Sequence, residues 1–138
     1  MTTLYHGTKN DFSKFNTDVV FFTTNINMAK SYGKRIIEKN IEISNIVEVD
    51  AKGDNWRGFF LSESFATEFY QHMVKSNLVY YTMEELTKMR FSTNSVVTMA
   101  KELGKDFVKI SNVEDYGSEV ENMIPSDVYV ALKTDLIN

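Results

Sequence analysis

Three short segments of the 138-residue chain bring together side chains that could do chemistry. Residues 4–8 read Leu-Tyr-His-Gly-Thr and contain His6. Residues 20–24 read Val-Phe-Phe-Thr-Thr and are followed by Tyr32, and residues 126–130 read Ser-Asp-Val-Tyr-Val and contain Asp127. Together these segments supply an imidazole, hydroxyls, aromatic rings and a carboxylate, groups that bind polar ligands and transfer protons.

Each of these residues also has a purely structural interpretation. A histidine at a strand end is commonly half-buried and hydrogen-bonded, a tyrosine on an amphipathic helix is a core aromatic, and an aspartate at a strand start is an exposed turn or edge acid. Taken singly, His6, Tyr32 and Asp127 indicate no function. The functional interpretation depends on their joint order and spacing.

Other kinds of catalytic site find little support in the sequence. GxGxxG, GxxxxGK[ST], HExxH and GxSxG motifs are absent. The chain has no cysteine, which excludes disulfides, a thiol nucleophile and cysteine-bound metal. Two histidines, His6 and His72, are too few for a histidine-rich metal site. A magnesium or calcium site made of carboxylates alone remains open, although no ligand spacing indicates one.

The motifs in their order resemble a known enzyme superfamily. Tyr-His-Gly-Thr, then aromatic-aromatic-Thr-Thr, then Ala-x-x-Tyr, over residues 4–33, is similar to the first two signature regions of the diphtheria-toxin and poly(ADP-ribose) polymerase branch of ADP-ribosyltransferases. That branch is named for a His-Tyr-Glu triad. Residues 46–56, 100–115 and 126–137 resemble the short ADP-ribosyltransferase-like domains in polyvalent proteins of phages and conjugative elements. The small size also resembles the anti-CRISPR ADP-ribosyltransferase of phages.

The resemblance implies that NAD is the substrate, and no metal is expected to take part. It also implies how the N-terminal motif would bind NAD. His6 would hydrogen-bond the adenosine ribose hydroxyls and hold NAD in a bent shape. Gly7 would offer its backbone N–H and C=O to the nicotinamide carboxamide, because a residue without a side chain permits close approach. The hydroxyl of Thr8 would support this contact.

The resemblance also implies roles for the second and third segments. Tyr32 would stack on the nicotinamide ring, and Phe21 or Phe22, in the aromatic-aromatic-Thr-Thr motif with Thr23, would form the other wall. Asp127 would accept a hydrogen bond from the nicotinamide ribose and favour the oxocarbenium-like transition state. Catalysis is therefore assigned to Asp127, His6 and Tyr32.

Two positions depart from the family pattern. Asp127 stands where the family has glutamate, and its side chain is one methylene shorter, which puts turnover in question. Glu119, Glu121 and Asp135 are alternative acids. Pro125 stands where arginine-modifying relatives have Glu or Gln, so the resemblance implies that the modified group is not arginine.

Composition is consistent with one folded domain over residues 1–138. The hydrophobic content is 43%, which argues against disorder. A net charge of −4 disfavours general nucleic-acid binding. No segment has the length and apolarity of a signal peptide or membrane span, so a cytoplasmic location is expected, in the host cytosol if a phage encodes the chain.

The predicted elements indicate an α+β fold, and the resemblance adds that split antiparallel sheets flanked by helices enclose the NAD cleft between them. Strands are expected at residues 4–6, ended by Gly7, and at 18–23, 41–50, 107–110 and 127–132, the last with one face buried. A helix is expected over about 27–39, with Ala29, Tyr32 and Ile36 on one side.

Further helices are expected in the middle of the chain. Ser62 or Ser64 caps one helix, and Thr82 with Glu85 forms a capping box for the next. Thr93 or Asn94 opens a third, which Gly104 ends. Residues 57–90 are expected to pack on the sheet; a lid or a target-recognition insert is the alternative. His72, on the face of Phe65 and Phe69, is expected to be structural.

The sequence therefore predicts a mono-ADP-ribosyltransferase that transfers ADP-ribose from NAD to a macromolecule, most naturally a host or defence protein. Two alternatives stay open. One is an ADP-ribosyltransferase-like binding module without turnover, which the aspartate in place of glutamate motivates. The other is an NAD hydrolase that uses water as the acceptor and the same residues.

Overall fold

The strands of the protein form one mixed sheet. The computed structural model describes residues 2–9, 15, 19–53, 57–113 and 126–138. Its strands are β1 (Thr2–Thr8), β2 (Val20–Thr23), β3 (Arg35–Ile41), β4 (Ile46–Asp50), β5 (Phe60–Leu61), β6 (Phe107–Val113) and β7 (Ser126–Ala131). Their order across the sheet is β3-β1-β2-β7-β6-β4-β5. Neighbouring strands are antiparallel except β4 and β6, which are parallel. The α+β class is confirmed, but the described strands make one hydrogen-bonded sheet rather than two split antiparallel sheets.

The sheet is weakest between β1 and β2. β1 pairs with β3 along its whole length, from Thr2 opposite Ile41 to Thr8 opposite Arg35. Against β2, in contrast, β1 has only Tyr5 opposite Thr23 as register partners. The strands diverge beyond this pair, and the sheet opens there.

Helices connect the strands, and side-chain caps fix where they begin. They are α1 (Ile26–Lys30), α2 (Glu63–Lys75), α3 (Met83–Lys88) and α4 (Thr93–Glu102), and a short 3₁₀ helix (Thr134–Leu136) follows β7. Ser62 caps α2, and the predicted capping box of Thr82 and Glu85 is present at α3. Within the described residues, no helix has the length and apolarity needed to cross a membrane.

Both faces of the sheet are covered by buried side chains. The first cluster lies on the side of the sheet that α2, α3 and α4 cover together with Met28 of α1. We call this side the helical face. The second, on what we call the opposite face, contains Phe22, Phe107 and Ala131 and is completed by Phe15 and Ile137. β7 alternates between the two clusters, because Val128 and Val130 face the helices while Tyr129 and Ala131 face away. The prediction that only one face of β7 is buried was therefore wrong.

The predicted helix over residues 27–39 was also wrong. The helix ends at Lys30, Ser31 is its C-cap, and the chain enters β3 at Arg35. A side chain at Gly33 would lie 2.2 Å from the Thr8 carbonyl oxygen, so this residue packs tightly on the end of β1. The β-branched Ile36 and Ile37 then favour pairing with β1 over continuing the helix.

Smaller differences occur at element boundaries. β1 runs through Gly7 to Thr8, and β4 begins at Ile46 rather than residue 41. The N-cap of α4 is Ser92 rather than Thr93 or Asn94. Gly104 follows the end of α4 with φ of +70°, as predicted for a glycine stop. Residues 57–90 pack on the sheet through Phe65, Phe69 and other side chains of the first cluster, as expected.

Candidate functional site

A cleft of about 370 Å³ opens where β1 and β2 diverge. Six of the residues predicted to bind NAD line it, and they come from β1, β2 and the turn after α1. They are His6, Gly7, Phe21, Phe22, Thr23 and Tyr32. Thr8 and Asp127 are not among its described lining residues. With Val128 of residues 126–130 also in the lining, all three distant segments contribute to one site.

His6 is held between strands by its ring. Its Nδ1 lies 2.8 Å from the Phe21 carbonyl oxygen, across the gap where the ladder between β1 and β2 has ended. Because a carbonyl oxygen only accepts, Nδ1 donates this bond, and in the tautomer with a single proton on Nδ1 the other nitrogen, Nε2, is an acceptor. The ring also contacts Phe15 edge-on at 5.2 Å and Phe22 at 5.8 Å. His6 thus has the structural role expected of a half-buried histidine, in addition to lining the cleft.

Gly7 is required by packing against α1. A Cβ placed on Gly7 would lie 1.7 Å from the Ala29 carbonyl oxygen. The helix therefore rests directly on the β1 backbone, and this contact alone explains a glycine at this position. Close approach of a ligand, the reason expected from the sequence, is not needed to account for it.

Tyr32 lies in the turn after α1, and its backbone N–H donates to Ala29 O at 3.1 Å. The side chain is 42% exposed and lines the cleft. The position of this turn is fixed from the start of α1, where the Asn25 side chain caps the helix and donates to Ser126 Oγ at 3.1 Å. Tyr32 is therefore an accessible aromatic residue on a turn that hydrogen bonds hold in place. The sequence predicted instead that it lies within a longer helix.

The two predicted threonines have mainly structural contacts. Thr23 is buried, and its Oγ1 donates to Asp127 O at 3.3 Å and accepts from Asn25 N at 3.0 Å. Thr8 is also buried, at the end of β1 against Gly33. Thr23 joins β2, β7 and the cap of α1, so it builds the wall of the cleft.

Asp127 precedes a residue that lines the cleft. Its neighbour Val128 lines the cleft from the helical face, so alternation along β7 directs the Asp127 side chain to the opposite face. There its carboxylate lies 3.8 Å from Lys109 Nζ and accepts from Asn112 N at 3.4 Å. The carboxylate of Asp127 is therefore not part of the described lining of the cleft.

The alternative acids do not supply a carboxylate to the described part of the cleft. Asp135 is exposed in the 3₁₀ helix, at the other end of β7. Glu119 and Glu121 lie outside the described residues. Among the lining residues that the structure describes there is no carboxylate, lysine or arginine. The described lining therefore offers aromatic and aliphatic side chains, an imidazole and hydroxyl groups to a ligand.

Five lining residues were not selected from the sequence: Tyr5, Met28, Ala29, Thr93 and Val128. Tyr5, Ala29 and Val128 stand within the recognised motifs and could have been found there. Thr93, in contrast, reaches the cleft from the first turn of α4, far away in the sequence. No local pattern marks such a long-range neighbour.

His72 contributes nothing to this cleft. Its ring lies 6.1 Å from that of Phe69, and its Nε2 lies 3.9 Å from Glu102 Oε2, on the other side of α4. These contacts are consistent with the expectation that His72 is structural.

Comparison of the chain with protein-family models, with curated proteins and with solved structures finds no match. Its function must therefore be inferred from the cleft and from the resemblance of the motifs.

Proposed function

We propose that the cleft between β1 and β2 binds the nicotinamide end of NAD, and that the protein is a mono-ADP-ribosyltransferase acting on a protein acceptor in the cytoplasm. One observation carries the binding half of this proposal. His6, Gly7, Phe21 and Tyr32, which lie up to 26 positions apart in the sequence, line one cleft. The catalytic half is supported by the resemblance of the motifs.

The cleft suits a flat ring more than a whole dinucleotide. Its volume of about 370 Å³ is near the lower end of ligand pockets. In the proposed complex the nicotinamide ring stacks on Tyr32 with Phe21 as the second wall, which favours a planar cationic ring. Nε2 of His6 accepts from a ribose hydroxyl, and the adenosine part extends over the open side.

The proposed reaction breaks the glycosidic bond between the ribose C1′ and the nicotinamide nitrogen. The electron pair of that bond leaves with nicotinamide, which becomes neutral, and C1′ acquires oxocarbenium character. A nucleophilic group of the acceptor then bonds to C1′ and loses its proton to the surrounding water. Positioning of NAD and a negative charge near the ribose would lower the barrier.

Asp127 is the residue that the resemblance assigns to that negative charge. Its carboxylate contacts Lys109 on the opposite face of the sheet instead of lining the cleft. This position favours a second candidate function, an NAD-binding module that has lost turnover and acts through its surface. The two candidates share the cleft and differ only in the reaction.

An incubation with NAD labelled in the adenylate, together with bacterial lysate, separates the candidates. The proposal predicts labelled protein and free nicotinamide. Free nicotinamide without labelled protein would indicate a hydrolase. Without NAD consumption, a rise in melting temperature on adding NAD would identify the binding module. Absence of both consumption and shift would refute NAD binding, and Tyr32→Ala serves as the negative control.

A further inference from the structure

A second groove, of about 470 Å³, lies between α2 and α4. Its floor is apolar, with Phe69, Met73 and Met99 buried. The segment that follows α2 forms one rim, and there Leu78 is 56% and Tyr80 73% exposed. Large apolar side chains exposed together, rimmed by polar groups, are typical of an interaction surface.

Aromatic rings are concentrated in this groove. Phe69, Tyr80, Tyr81 and Phe91 line it, and Tyr81 packs edge-on against Phe91 with ring centroids 5.3 Å apart. The negatively polarised faces of such rings attract a cation, and a guanidinium group also stacks on them, which an ammonium group cannot do. The floor methionines adapt their shape to different apolar side chains.

The groove carries one carboxylate. Glu102 supplies it, the side chain is 51% exposed, and His72 Nε2 lies 3.9 Å from Glu102 Oε2. No lysine or arginine of the described chain lines the groove to neutralise this carboxylate. A carboxylate beside aromatic rings complements a guanidinium group and repels phosphate.

We propose that this groove docks an arginine-bearing, partly apolar segment of a partner protein. The arginine bonds Glu102 and stacks on the tyrosine rings, while neighbouring apolar side chains cover Leu78 and the methionine floor. Asn94, in the first turn of α4, lines the groove, and Thr93, the preceding residue, lines the cleft between β1 and β2. A docked segment therefore lies beside that cleft. The inference that this segment is the ADP-ribose acceptor rests on the proposed function, whereas the inference that it docks in the groove does not.

The test is an NMR titration of the protein with the peptide acetyl-Leu-Arg-Leu-amide, without NAD. We expect saturable shifts at residues of α2, α4 and the 76–81 segment. The matched peptide with citrulline, a neutral analogue of arginine, should bind about ten-fold more weakly, and Glu102→Gln should weaken the arginine peptide equally. Tyr80→Ala should also weaken binding. Glu84→Gln, which removes an exposed carboxylate outside the groove, should not.

Several results would overturn this docking site. They are equal affinity for the two peptides, shifts centred elsewhere, and no binding up to the solubility limit of the peptide. A concentration-dependent dimer seen by sedimentation, and abolished by Tyr80→Ala, would show instead that a second copy of the chain covers the groove. Because NAD is omitted, these results are independent of the labelled-NAD experiment, and either proposal can fail alone.

Discussion

The backbone of Gly7 is in direct contact with the carbonyl group of Ala29, so close that a Cβ on Gly7 would lie 1.7 Å from that oxygen. This contact joins α1 to β1 and thereby sets where Tyr32 lies relative to His6. The position of the candidate NAD site thus depends on one residue having no side chain.

Gly7→Ala is expected to lower the free energy of unfolding by about 3 kcal/mol or more, because backbone must move to admit the methyl group. Urea unfolding followed by circular dichroism measures this loss. Gly104→Ala is the control, since open space surrounds that position and only its φ of +70° opposes alanine, at a cost of about 1 kcal/mol. Equal losses for the two variants would contradict the packing explanation.

Tyr32→Ala is expected to abolish the NAD-dependent rise in melting temperature while changing the stability of the free protein by less than about 1 kcal/mol. The reason is that Tyr32 is 42% exposed, and it is proposed to stack on the ligand rather than to hold the fold. Tyr32→Phe keeps the ring and should keep the shift. Tyr80→Ala removes an exposed tyrosine outside the cleft and should also keep it. An unchanged shift in Tyr32→Ala would remove this residue from the binding site.

Asp127→Asn is the variant that tests the proposed acid. If Asp127 stabilises the oxocarbenium-like transition state, turnover should fall by about 100-fold or more with little change in NAD affinity. Single-turnover release of nicotinamide and calorimetric NAD binding measure the two quantities.

Lys109→Met is the matched control for that variant, because it breaks the same 3.8 Å ion pair and leaves the carboxylate in place. Since Asp127 is 39% exposed, solvent screens the pair, and the loss of stability should stay below about 1 kcal/mol. Wild-type turnover in Asp127→Asn would exclude Asp127 as the acid, and Glu119→Gln and Glu121→Gln would then be the variants to measure.

Ser62→Ala is expected to destabilise the protein by about 1 kcal/mol, because the Ser62 hydroxyl accepts from Phe65 N at the start of α2. Ser64→Ala, two residues later inside the helix, should be neutral or slightly stabilising, since alanine is the better helix former. Thermal unfolding of the two variants compares them directly. A larger loss for Ser64→Ala would contradict the assignment of the cap.

Local signals in the sequence predicted much of the fold. The capping box at Thr82 and Glu85, the run of β-branched and aromatic residues in β2, and the glycine after α4 all act through neighbours in the chain. The helix expected over residues 27–39 failed because pairing with β1 outweighs helical periodicity at Ile36 and Ile37. The pairing of these residues with β1 is a tertiary interaction, and the periodicity of the local sequence cannot predict it.

The site was predicted less completely than the fold. His6, Gly7 and Tyr32 were found because they stand in short motifs, and the cleft does bring them together. The face on which the Asp127 side chain lies could not be predicted, because it depends on the register of β7 against β2 and β6. A shift of one residue in that register reverses every side chain, so the motif alone could not decide it.

The pairing of β2 with β7 makes the cleft a late product of synthesis. The hydroxyl of Thr23 bonds the backbone of Asp127 across 104 positions, and Val128 completes a wall that His6 begins. A nascent chain already contains Phe21, Phe22 and Tyr32 long before that wall exists, and β2 is then without β7 to pair with. Contacts of this range form slowly. Ligand competence should therefore appear abruptly once β7 has left the ribosome, rather than growing as the chain lengthens.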